Sequence, residues 1–574
     1  MFPNISILNE EFDEDQPRQI VSSYSDIKKL LSPPANKINS DIIIDRHKAK
    51  SHTYGLIESK GAEQYLIKVI QNNDLSEIQN LLDEAENINI YTITDHKKYT
   101  LLHLAAYNNN LDTVKLLINH VKKQHKHKCM SILTEWVNQQ TEDGFVAFHF
   151  AAYRGNIEMI LEFEKCGANL FIRNAQGMNG LHLAAQGDQP KSVVYFKKIG
   201  FDFAQKDSKG GTALHWAAYY GCELAVNYLL SFTDQLLDIK DAEGLTALHL
   251  ASMSGNSRIV KKLLLQGANR NIKNKEGQTA ADIAQANSFK AIHKMLTESQ
   301  NFLITYFSIS QGFQKVNRSK DKMFKFIAML IYCQGITIYY NFYPFESYQN
   351  LIYYSAFQLL IWFFFIIVWL SDPGKQIKKQ DKIEQELLKS LYEILQRYDA
   401  KDICPECVCV KSPRSKHCDI CQSCVLVYDH HCPWVDNCIG SNNLFQFYIF
   451  VWLLCLDVTL TLAFQFYFVI KQIQNDKGIE NEFIILFILS LFSIIIMLLF
   501  LFPLWFLLYI QTINLLTGQT TYEKYSQSMK NSNTQSTVSC RNCLQMCCYN
   551  KINSQEKKKQ NHQSFQLFDS NQKS

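Results

Sequence analysis

The chain has 574 residues, 17 cysteines and a formal net charge of +4 at pH 7. This length exceeds what one ordinary hydrophobic core needs, so at least two domains are expected. The small net charge, and the lack of a basic stripe interleaved with aromatic residues, argue against a nucleic acid partner.

Residues 1–55 are polar and aperiodic, which predicts a disordered leader. The first residues lack a basic stretch followed by an apolar one, so no cleaved signal peptide is expected. Without a secretory start, the cysteines are expected to be reduced thiols that bind metal, and not a disulfide framework.

Between residues 60 and 300 one sequence frame recurs about every 33 residues. TALHWAAYYG at 212–221 and TALHLASMSGN at 246–256 are two of its copies. This pattern resembles the ankyrin repeat, a solenoid of paired short helices. The repeated histidine is expected to hydrogen-bond backbone between neighbouring repeats, and not to bind metal or take part in catalysis. These histidines are His103, His149, His182, His215 and His249.

Stacked repeats of this kind form a concave surface that binds extended peptides or other proteins. In the first two clear repeats, Asn108 and Phe150 occupy positions that are expected to face such a groove. Both are therefore candidates for contact with a client peptide, and residues 60–300 are expected to recruit protein substrates.

Four apolar blocks follow, at about 324–343, 351–371, 444–470 and 483–510. Each is long enough to cross ~30 Å of hydrocarbon as a helix. The sequence thus predicts transmembrane helices 1 and 2 within 324–371 and helices 3 and 4 within 444–510. Asp457 lies midway along the third block, where an ionisable side chain is costly. It is expected either to hydrogen-bond a neighbouring span or to have a functional role.

Basic residues flank the first two blocks on one side only. The short connection between them, 343–350, contains no lysine or arginine. The positive-inside rule therefore places the repeats, the cysteine-rich segment and the tail 511–574 in the cytosol. The flanking basic residues are Lys315, Arg318, Lys320, Lys322, Lys325, Lys375, Lys378, Lys379 and Lys382.

A cysteine-rich segment, residues 400–443, separates the second and third blocks. Its several C-x-x-C steps with interspersed histidine are a strong signal for zinc. Its donors fill two tetrahedral Cys3His sites, which leave no open position for water, so both zinc ions are expected to be structural. The donors are Cys404, Cys407, Cys418, Cys421, Cys424, Cys438, His417 and His431.

The stretch YDHHCPW at 428–434 keeps Asp429, His430 and Cys432 outside that ligand set. A neighbouring imidazole can convert a thiol into a nucleophilic thiolate, and an acid can orient that imidazole. Two interpretations are open: a nucleophile with its base, or a purely structural double zinc finger with a spare cysteine.

DHHCPW, followed by NCIGSNNLFQF at 437–447, resembles the DHHC family of protein S-acyltransferases, the palmitoyltransferases. Two accessory motifs agree with that family, one after the second block and one after the fourth. With the ankyrin array, the chain is similar to the huntingtin-interacting subgroup. The accessory motifs are Asp372, Pro373 and Gly374, and Thr520, Thr521 and Glu523.

The resemblance implies that Cys432 carries the acyl group from acyl-CoA as a thioester, with His430 as base and Asp429 polarising it. It implies that the tail residue Asn542 packs on the catalytic region. It also implies two zinc sites, and basic residues that meet the CoA phosphates. One zinc would be held by Cys404, Cys407, His417 and Cys424, the other by Cys418, Cys421, His431 and Cys438; the basic residues are Lys411, Arg414 and Lys416.

Two features depart from the subgroup. It typically has six spans, whereas four are predicted here, and Phe150 stands where it carries a tryptophan used in client binding. The tail cysteines are expected acylation sites because they are cytosolic and near the membrane. They are Cys540, Cys543, Cys547 and Cys548.

The sequence therefore predicts an all-α multi-domain protein, with an ankyrin-repeat solenoid followed by a four-helix transmembrane bundle and a cytosolic double-zinc cysteine-rich domain. The predicted function is transfer of palmitate, or a similar long acyl chain, from acyl-CoA to protein cysteines. A Golgi or other endomembrane location is expected over the plasma membrane. The alternatives are a catalytically inactive ankyrin membrane scaffold and an ankyrin-bearing ion channel, which the absence of a pore-loop segment disfavours.

Overall fold

The computed structural model describes residues 60–84, 89–233, 235–297, 320–342, 348–376, 384–474 and 481–528. The predicted leader, Asn542 and the tail cysteines lie outside them. The described residues form two compact units. We call residues 60–297 with 384–401 the repeat unit, and the other described residues the second unit.

The repeat unit consists of short helices in pairs. The first helices of successive pairs pack side by side, and the second helices form the other layer. Polar side chains begin many of these helices; Asn110, for example, accepts a hydrogen bond from the backbone N–H of Thr113 at 3.0 Å. The helices are α1 (Lys60–Asn72), α2 (Leu75–Glu84), α3 (Leu101–Tyr107), α4 (Leu111–Gln124), α5 (Cys129–Val137), α6 (Ala147–Arg154), α7 (Ile157–Lys165), α8 (Gly180–Gln186), α9 (Pro190–Lys198), α10 (Ala213–Tyr220), α11 (Glu223–Phe232), α12 (Ala247–Met253), α13 (Ser257–Gln266), α14 (Ala280–Ala286) and α15 (Lys290–Thr297).

The helices that follow are longer, apart from the last. They are α16 (Asp321–Phe342), α17 (Tyr348–Leu370), α18 (Glu384–Arg397), α19 (Leu444–Ile473), α20 (Asn481–Thr517) and α21 (Thr521–Ser528).

Three of the five repeated histidines, His103, His149 and His215, connect neighbouring repeats, as predicted. His103 Nδ1 accepts from the backbone N–H of Thr100 at 3.1 Å, which fixes the proton on Nε2. Nε2 then donates to the carbonyl of Phe145, in the next repeat, at 3.0 Å. The same contact joins His215 Nε2 to the carbonyl of Leu245 at 3.2 Å. Both ring nitrogens of His103, His149 and His215 are thus buried and hydrogen-bonded.

Lowering the pH from 7 to 5 is expected to destabilise the repeat unit. Burial lowers the pKa of His103 to about 4 and that of His149 to about 3. In the unfolded chain each has a pKa of ~6.5, so unfolding takes up protons. Stability is therefore complete above pH ~6.5 and is lost as the pH falls towards 4. The loss at pH 5 is on the order of 2 kcal/mol for each histidine.

Hydrogen–deuterium exchange of α3 and α6 in the full chain measures this loss. His149→Gln should flatten the pH dependence, whereas His96→Gln, at an exposed position of the same unit, should leave it unchanged. Equal protection of both helices at pH 7 and pH 5 would contradict the prediction.

The two candidates for client contact lie in packed surroundings. Phe150 is only 2% exposed, among Tyr99, Tyr107 and Phe145 at ring distances of 5.9, 5.9 and 5.5 Å. The expectation that Phe150 faces a groove is therefore wrong, because its ring fills the space between repeats. Asn108 donates its side-chain amide to the carbonyl of Ile70 at 2.9 Å, which holds two repeats together.

Helix α18 completes the repeat unit, although it follows α17 in the chain. Leu391 and Leu395 are buried on one face of it, as expected for an amphipathic helix. The ring of Tyr392 packs on Tyr195 of α9 with centroids 6.1 Å apart. Lys198 Nζ lies 4.5 Å from the Tyr392 centroid, a cation–π contact. The sequence analysis did not predict this helix.

In the described part of the chain, three helical segments have the length and composition of membrane spans. They are Ile352–Leu370, Leu444–Tyr467 and Phe487–Thr517. The predicted first span, 324–343, forms most of helix α16, which does not meet the same criterion. The four-span arrangement therefore stays a prediction, and the fourth predicted span extends seven residues beyond 510, to Thr517.

Asp457 of α19 is buried and hydrogen-bonded to two neighbouring helices. Gln334 of α16 donates to its Oδ2 at 2.9 Å, and Gln358 of α17 donates to its Oδ1 at 2.5 Å. Trp362 Nε1 in turn donates to Gln334 Oε1 at 3.3 Å. Asp457 therefore makes the predicted bond to a neighbouring span, α17, and a second bond to helix α16.

The cysteine-rich domain departs from the all-α prediction, because it consists of antiparallel hairpins. A cysteine ends the first strand of each hairpin, and these cysteines, Cys404, Cys418 and Cys432, are spaced 14 residues apart. In all three the same position of the turn has positive φ, at Val408, Gln422 and Asp436. The strands pair as β1 (Ile403–Cys404) with β2 (Cys409–Val410), β3 (Lys416–Cys418) with β4 (Ser423–Val425), and β5 (His430–Cys432) with β6 (Asn437–Ile439).

Candidate active site and metal centres

The first hairpin and the strands of the second bring four metal donors together. His417 Nδ1 lies 3.5 Å from Cys404 Sγ, 3.2 Å from Cys407 Sγ and 3.9 Å from Cys424 Sγ. A tetrahedral zinc with bonds of ~2.1 Å to nitrogen and ~2.3 Å to sulfur sets its donors roughly 3.5–3.8 Å apart. We call these four residues the first cluster. Their donor atoms lie within 4.8 Å of one another, which fits zinc.

A carboxylate supports the histidine of the first cluster. Glu406 Oε2 lies 2.6 Å from His417 Nε2, on the side of the ring that faces away from the sulfur atoms. Metal-binding histidines usually donate their other N–H to such a group, which fixes the tautomer and the ring orientation. The sequence analysis did not identify Glu406, although it lies inside the C-P-E-C step.

The second cluster repeats this arrangement one hairpin later. His431 Nδ1 lies 3.3 Å from Cys421 Sγ and 3.7 Å from Cys438 Sγ, and Cys418 is the fourth donor. The structure thus forms the two groups of four that the family resemblance implied. Each group takes two cysteines from one turn, and a histidine and a cysteine from the next hairpin.

The third hairpin has the same turn but lacks the second cysteine. Cys432 stands where the other two hairpins have Cys404 and Cys418 of the clusters, and Val435 stands where they have Cys407 and Cys421. Cys432 is therefore held in a metal-type turn, but its thiol belongs to neither cluster. This leaves its sulfur available for other chemistry.

Asp429 and His430 form the polar side of the site. Asp429 Oδ2 accepts from His430 Nδ1 at 2.8 Å and from Gln511 Nε2 at 2.9 Å. Asp429 Oδ1 accepts from the backbone N–H of Thr521 at 2.5 Å. The carboxylate is fully buried and held by three donors, so the orientation of the imidazole is fixed. His430 Nδ1 carries the proton, and its Nε2 is left to act on Cys432.

The charges follow from these contacts. Burial alone would lower the pKa of His430, but hydrogen bonds to Asp429 and Cys432 and the charge of Asp429 raise it to about 10. Burial would raise the pKa of Asp429, but the bonds from His430, Gln511 and Thr521 outweigh it and lower that pKa. An imidazolium held between a carboxylate and a thiol is the arrangement that stabilises a thiolate at neutral pH.

The thiol itself lies at the edge of an apolar cluster. Cys432 is 7% exposed and belongs to the same buried cluster as Val435, Phe447 and many residues of α16, α17, α19 and α20. Phe447 also packs edge-on against His430, with centroids 5.4 Å apart. The sulfur of Cys432 thus lies between the polar pair Asp429–His430 and an apolar cluster.

The Asp372–Gly374 motif attaches the end of α17 to the hairpins. Asp372 Oδ1 accepts from the backbone N–H of Gly374 at 3.2 Å, and the carbonyl of Gly374 accepts from Leu426 at 3.0 Å. Gly374 has φ +95°, and a Cβ there would come within 2.3 Å of Ser441 Oγ. Only glycine fits this position. Asn437, which the sequence analysis did not single out, donates to the carbonyls of Val368 at 2.9 Å and Ser371 at 2.8 Å.

The Thr520–Glu523 motif attaches the start of α21 to the same domain. Thr521 contacts Asp429, as described above. Glu523 forms a two-pronged ion pair with Arg414, at 2.6 Å to Nε and 2.8 Å to Nη2. The ring of Tyr522 lies 4.0 Å from Lys416 Nζ. Two of the three basic residues predicted at the CoA phosphates therefore contact this motif, and the third, Lys411, donates its backbone N–H to Asp402.

The family models that match are DHHC palmitoyltransferase, at residues 397–528, and ankyrin repeats, at residues 66–162, 148–235 and 214–264. Among curated proteins, human palmitoyltransferase ZDHHC17 is 32% identical over 411 residues, which are 61% of this chain and 62% of that protein. Palmitoyltransferase ZDHHC13 of Pongo abelii is 30% identical over 413 residues, 62% of this chain and 64% of that protein.

Palmitoyltransferase akr1 of Aspergillus oryzae is 33% identical over 180 residues, 30% of this chain and 24% of that protein. The chain thus spans less than two thirds of the length of each of these relatives.

Proposed function

Because the chain carries a DHHC palmitoyltransferase domain beside ankyrin repeats, we propose that it is a protein S-acyltransferase. It would transfer palmitate, or a similar long acyl chain, from acyl-CoA to cysteines of other proteins. The observation that carries this proposal is the buried Asp429–His430–Cys432 arrangement, in which a fixed carboxylate orients an imidazole towards a thiol that is outside both metal clusters.

In the first step, His430 Nε2 takes the proton of Cys432, and Asp429 stabilises the imidazolium. The thiolate attacks the carbonyl carbon of acyl-CoA. A new sulfur–acyl bond forms on Cys432 as the bond to the CoA sulfur breaks, and the CoA thiolate leaves with the proton from His430. The chain then carries the acyl group as a thioester.

In the second step, the thiol of a client cysteine loses its proton to His430 and attacks the thioester carbonyl. The acyl group passes to the client, and the proton returns to Cys432. Both steps exchange one thioester for another, so little free energy is gained or lost. The protein therefore needs to supply position and a thiolate, and no strong driving force.

We propose zinc at both clusters, because each donor set has the chemistry and the spacing of a closed Cys3His site. When bound, zinc would supply a structural crosslink between hairpins. The chain itself places Cys432 in the third hairpin. That hairpin has the same turn as the other two, but Val435 stands in place of a metal ligand.

We propose that α16, α17, α19 and α20 form a four-span bundle in which the acyl chain lies. Each buried CH2 contributes ~0.8 kcal/mol, so a long chain gains much from an apolar site beside Cys432. Helix α16 packs with the three apolar helices through Tyr332, which donates to the carbonyl of Leu489 at 3.0 Å, and through Gln334. This supports its inclusion. Cytosolic repeats and hairpins, and a Golgi or other endomembrane location, complete the proposed topology.

For the CoA phosphates we propose the basic group Lys411, Arg414 and Lys416. Arg414 shares its charge with Glu523, so it contributes less than a cation without an acidic partner at this distance.

We propose that the repeat unit recruits the client proteins. The half-buried rings of Tyr107 and Tyr153 lie at the ends of α3 and α6, and the guanidinium of Arg154 lies over them at 5.1 and 5.9 Å from their centroids. Tyrosine and arginine are enriched among the residues that contribute most to binding at protein interfaces. We also propose Asn108 as a residue that contacts the client, although its side-chain amide donates to the carbonyl of Ile70.

Mass spectrometry of the acylated protein tests the proposed function. The purified full chain is incubated with an alkyne-tagged palmitoyl-CoA analogue and digested with and without hydroxylamine. A hydroxylamine-sensitive acyl group on the peptide that contains Cys432, which then moves to an added client cysteine, is the expected result. A protein with two zinc ions and no acyl group would instead support the inactive scaffold.

A further inference from the structure

The first cluster contains one more thiol than a tetrahedral site can use. Cys409 packs against Cys404, Cys407 and Cys424, but it is not one of the four donors that meet within 4.8 Å. Its Sγ donates to Gln376 Oε1 at 3.6 Å, which holds it beside the cluster. At the same position of the second and third hairpins stand Ser423 and Asn437, so the surplus thiol is confined to the first.

The strand register sets Cys409 directly opposite Cys404. Residues opposite each other in an antiparallel pair point to the same face, with Cβ atoms roughly 4.5–5.5 Å apart. A disulfide needs Cβ atoms about 3.5–4.5 Å apart and Cα atoms about 4.4–6.8 Å apart. A small closure of the two-residue ladder therefore brings the two sulfur atoms within bonding distance.

Exposure differs between the two partners. Cys404 is 3% exposed, and in the proposed holo protein it is bound to metal, whereas Cys409 is half-buried and has no place in the ligand set. A small oxidant such as hydrogen peroxide therefore reaches Cys409 first. The first cluster supplies the second thiol, because Cys404 lies opposite Cys409 in the strand pair.

We propose that Cys409 is an oxidation-sensitive thiol that forms a disulfide with Cys404 and thereby opens the first cluster. This inference rests on the zinc sites of the proposed function. Hydrogen peroxide oxidises the Cys409 sulfur to a sulfenic acid and is reduced to one water. Cys404 sulfur then attacks it, the sulfur–oxygen bond breaks, and the oxygen leaves as a second water. Two thiols are oxidised, one peroxide is reduced, and Zn²⁺ loses a ligand.

The expected consequence is loss of one zinc ion out of two. The three remaining donors of the first cluster hold zinc less tightly, whereas the second cluster has no thiol opposite Cys418, only Ser423. A thiol reductant together with added zinc reverses the change, because thiol–disulfide exchange restores both thiols and with them the fourth donor.

Zinc release from the full chain tests this proposal. Protein that holds two zinc ions is exposed to a low dose of hydrogen peroxide, and the released metal is followed with a colorimetric chelator. Wild type should release one zinc ion, and Cys409→Ser should release it at least about tenfold more slowly, in line with the loss of the reacting thiol. Digestion after Glu406 separates the two cysteines, so that a Cys404–Cys409 disulfide is identified by mass.

Equal release from wild type and Cys409→Ser, or a disulfide between other cysteines, would overturn the proposal. The proposed function is checked separately in the same samples. Zinc content before oxidation tests the metal sites, and acyl labelling of unoxidised Cys409→Ser should equal that of wild type. A missing zinc ion before oxidation, or a loss of acyl labelling, would contradict the proposed function. Equal zinc release from wild type and Cys409→Ser would contradict only the role of Cys409.

Discussion

Cys432→Ser is expected to reduce acyl labelling of the chain to background, a loss of roughly 10⁴-fold or more if this residue is the nucleophile. The reason is that a serine hydroxyl at this position keeps the turn but cannot form the thiolate that His430 stabilises. Labelling by the tagged palmitoyl-CoA analogue, read before and after hydroxylamine, measures the effect. The turn itself should survive, because Cys432 is not a member of either metal cluster.

The zinc content of Cys432→Ser is therefore measured alongside, and two zinc ions are expected. Cys455→Ser, which replaces a buried thiol of α19, is the matched control and should label like wild type. Equal labelling of Cys432→Ser and wild type would place the acyl group on another residue and remove Cys432 from the mechanism.

Asp429→Asn is expected to slow single-turnover self-acylation at pH 7 by roughly 10³–10⁴-fold, as removal of the acid does in catalytic triads. The pKa of His430 is raised to about 10 by bonds to Asp429 and Cys432 and by the charge of Asp429, against the effect of burial. Without the carboxylate, burial dominates and the imidazole is neutral at pH 7. A thiolate beside it then has no cation to stabilise it.

The pH dependence distinguishes this explanation from a loss of fold. Wild type should change little between pH 7 and 9, because His430 stays protonated up to about pH 10. The rate of the variant should rise with pH over this range, because the imidazole no longer supplies the positive charge that stabilises a thiolate. Asp402→Asn, at an exposed carboxylate of the same domain, should keep the wild-type profile. A flat profile of Asp429→Asn would contradict the role of the carboxylate.

Local pattern was enough to predict much of the fold. The period of about 33 residues predicts the repeat helices, and the role of His103 follows from its place at a helix start. Hydropathy located the long helices, since burial in lipid requires continuous apolar sequence. Phe150 was placed wrongly because a repeat frame indicates which helix a residue belongs to, and not which neighbours close over its side chain.

The site was predictable where its residues are close in sequence. The contacts that position it are long-range: Gln511 lies 82 residues from Asp429, and Glu523 lies 109 residues from Arg414. No local pattern connects such pairs. One signal was present but unused, namely the 14-residue spacing of the hairpins, which pairs the ligands of each cluster and shows Cys432 to be the first position of a turn that has Val435 in place of its second cysteine.

Helix α18 has a consequence for the order in which the protein is made. The Tyr392 ring and the buried Leu391 and Leu395 cover part of the outer surface of α9, yet they are synthesised after α16 and α17. Because a chain emerges from its amino end, Tyr195 stays uncovered by α18 while α16 and α17 leave the ribosome. The last packing step of the repeat unit therefore follows the synthesis of α16 and α17, and a chain interrupted before residue 384 would leave the nascent array unfinished.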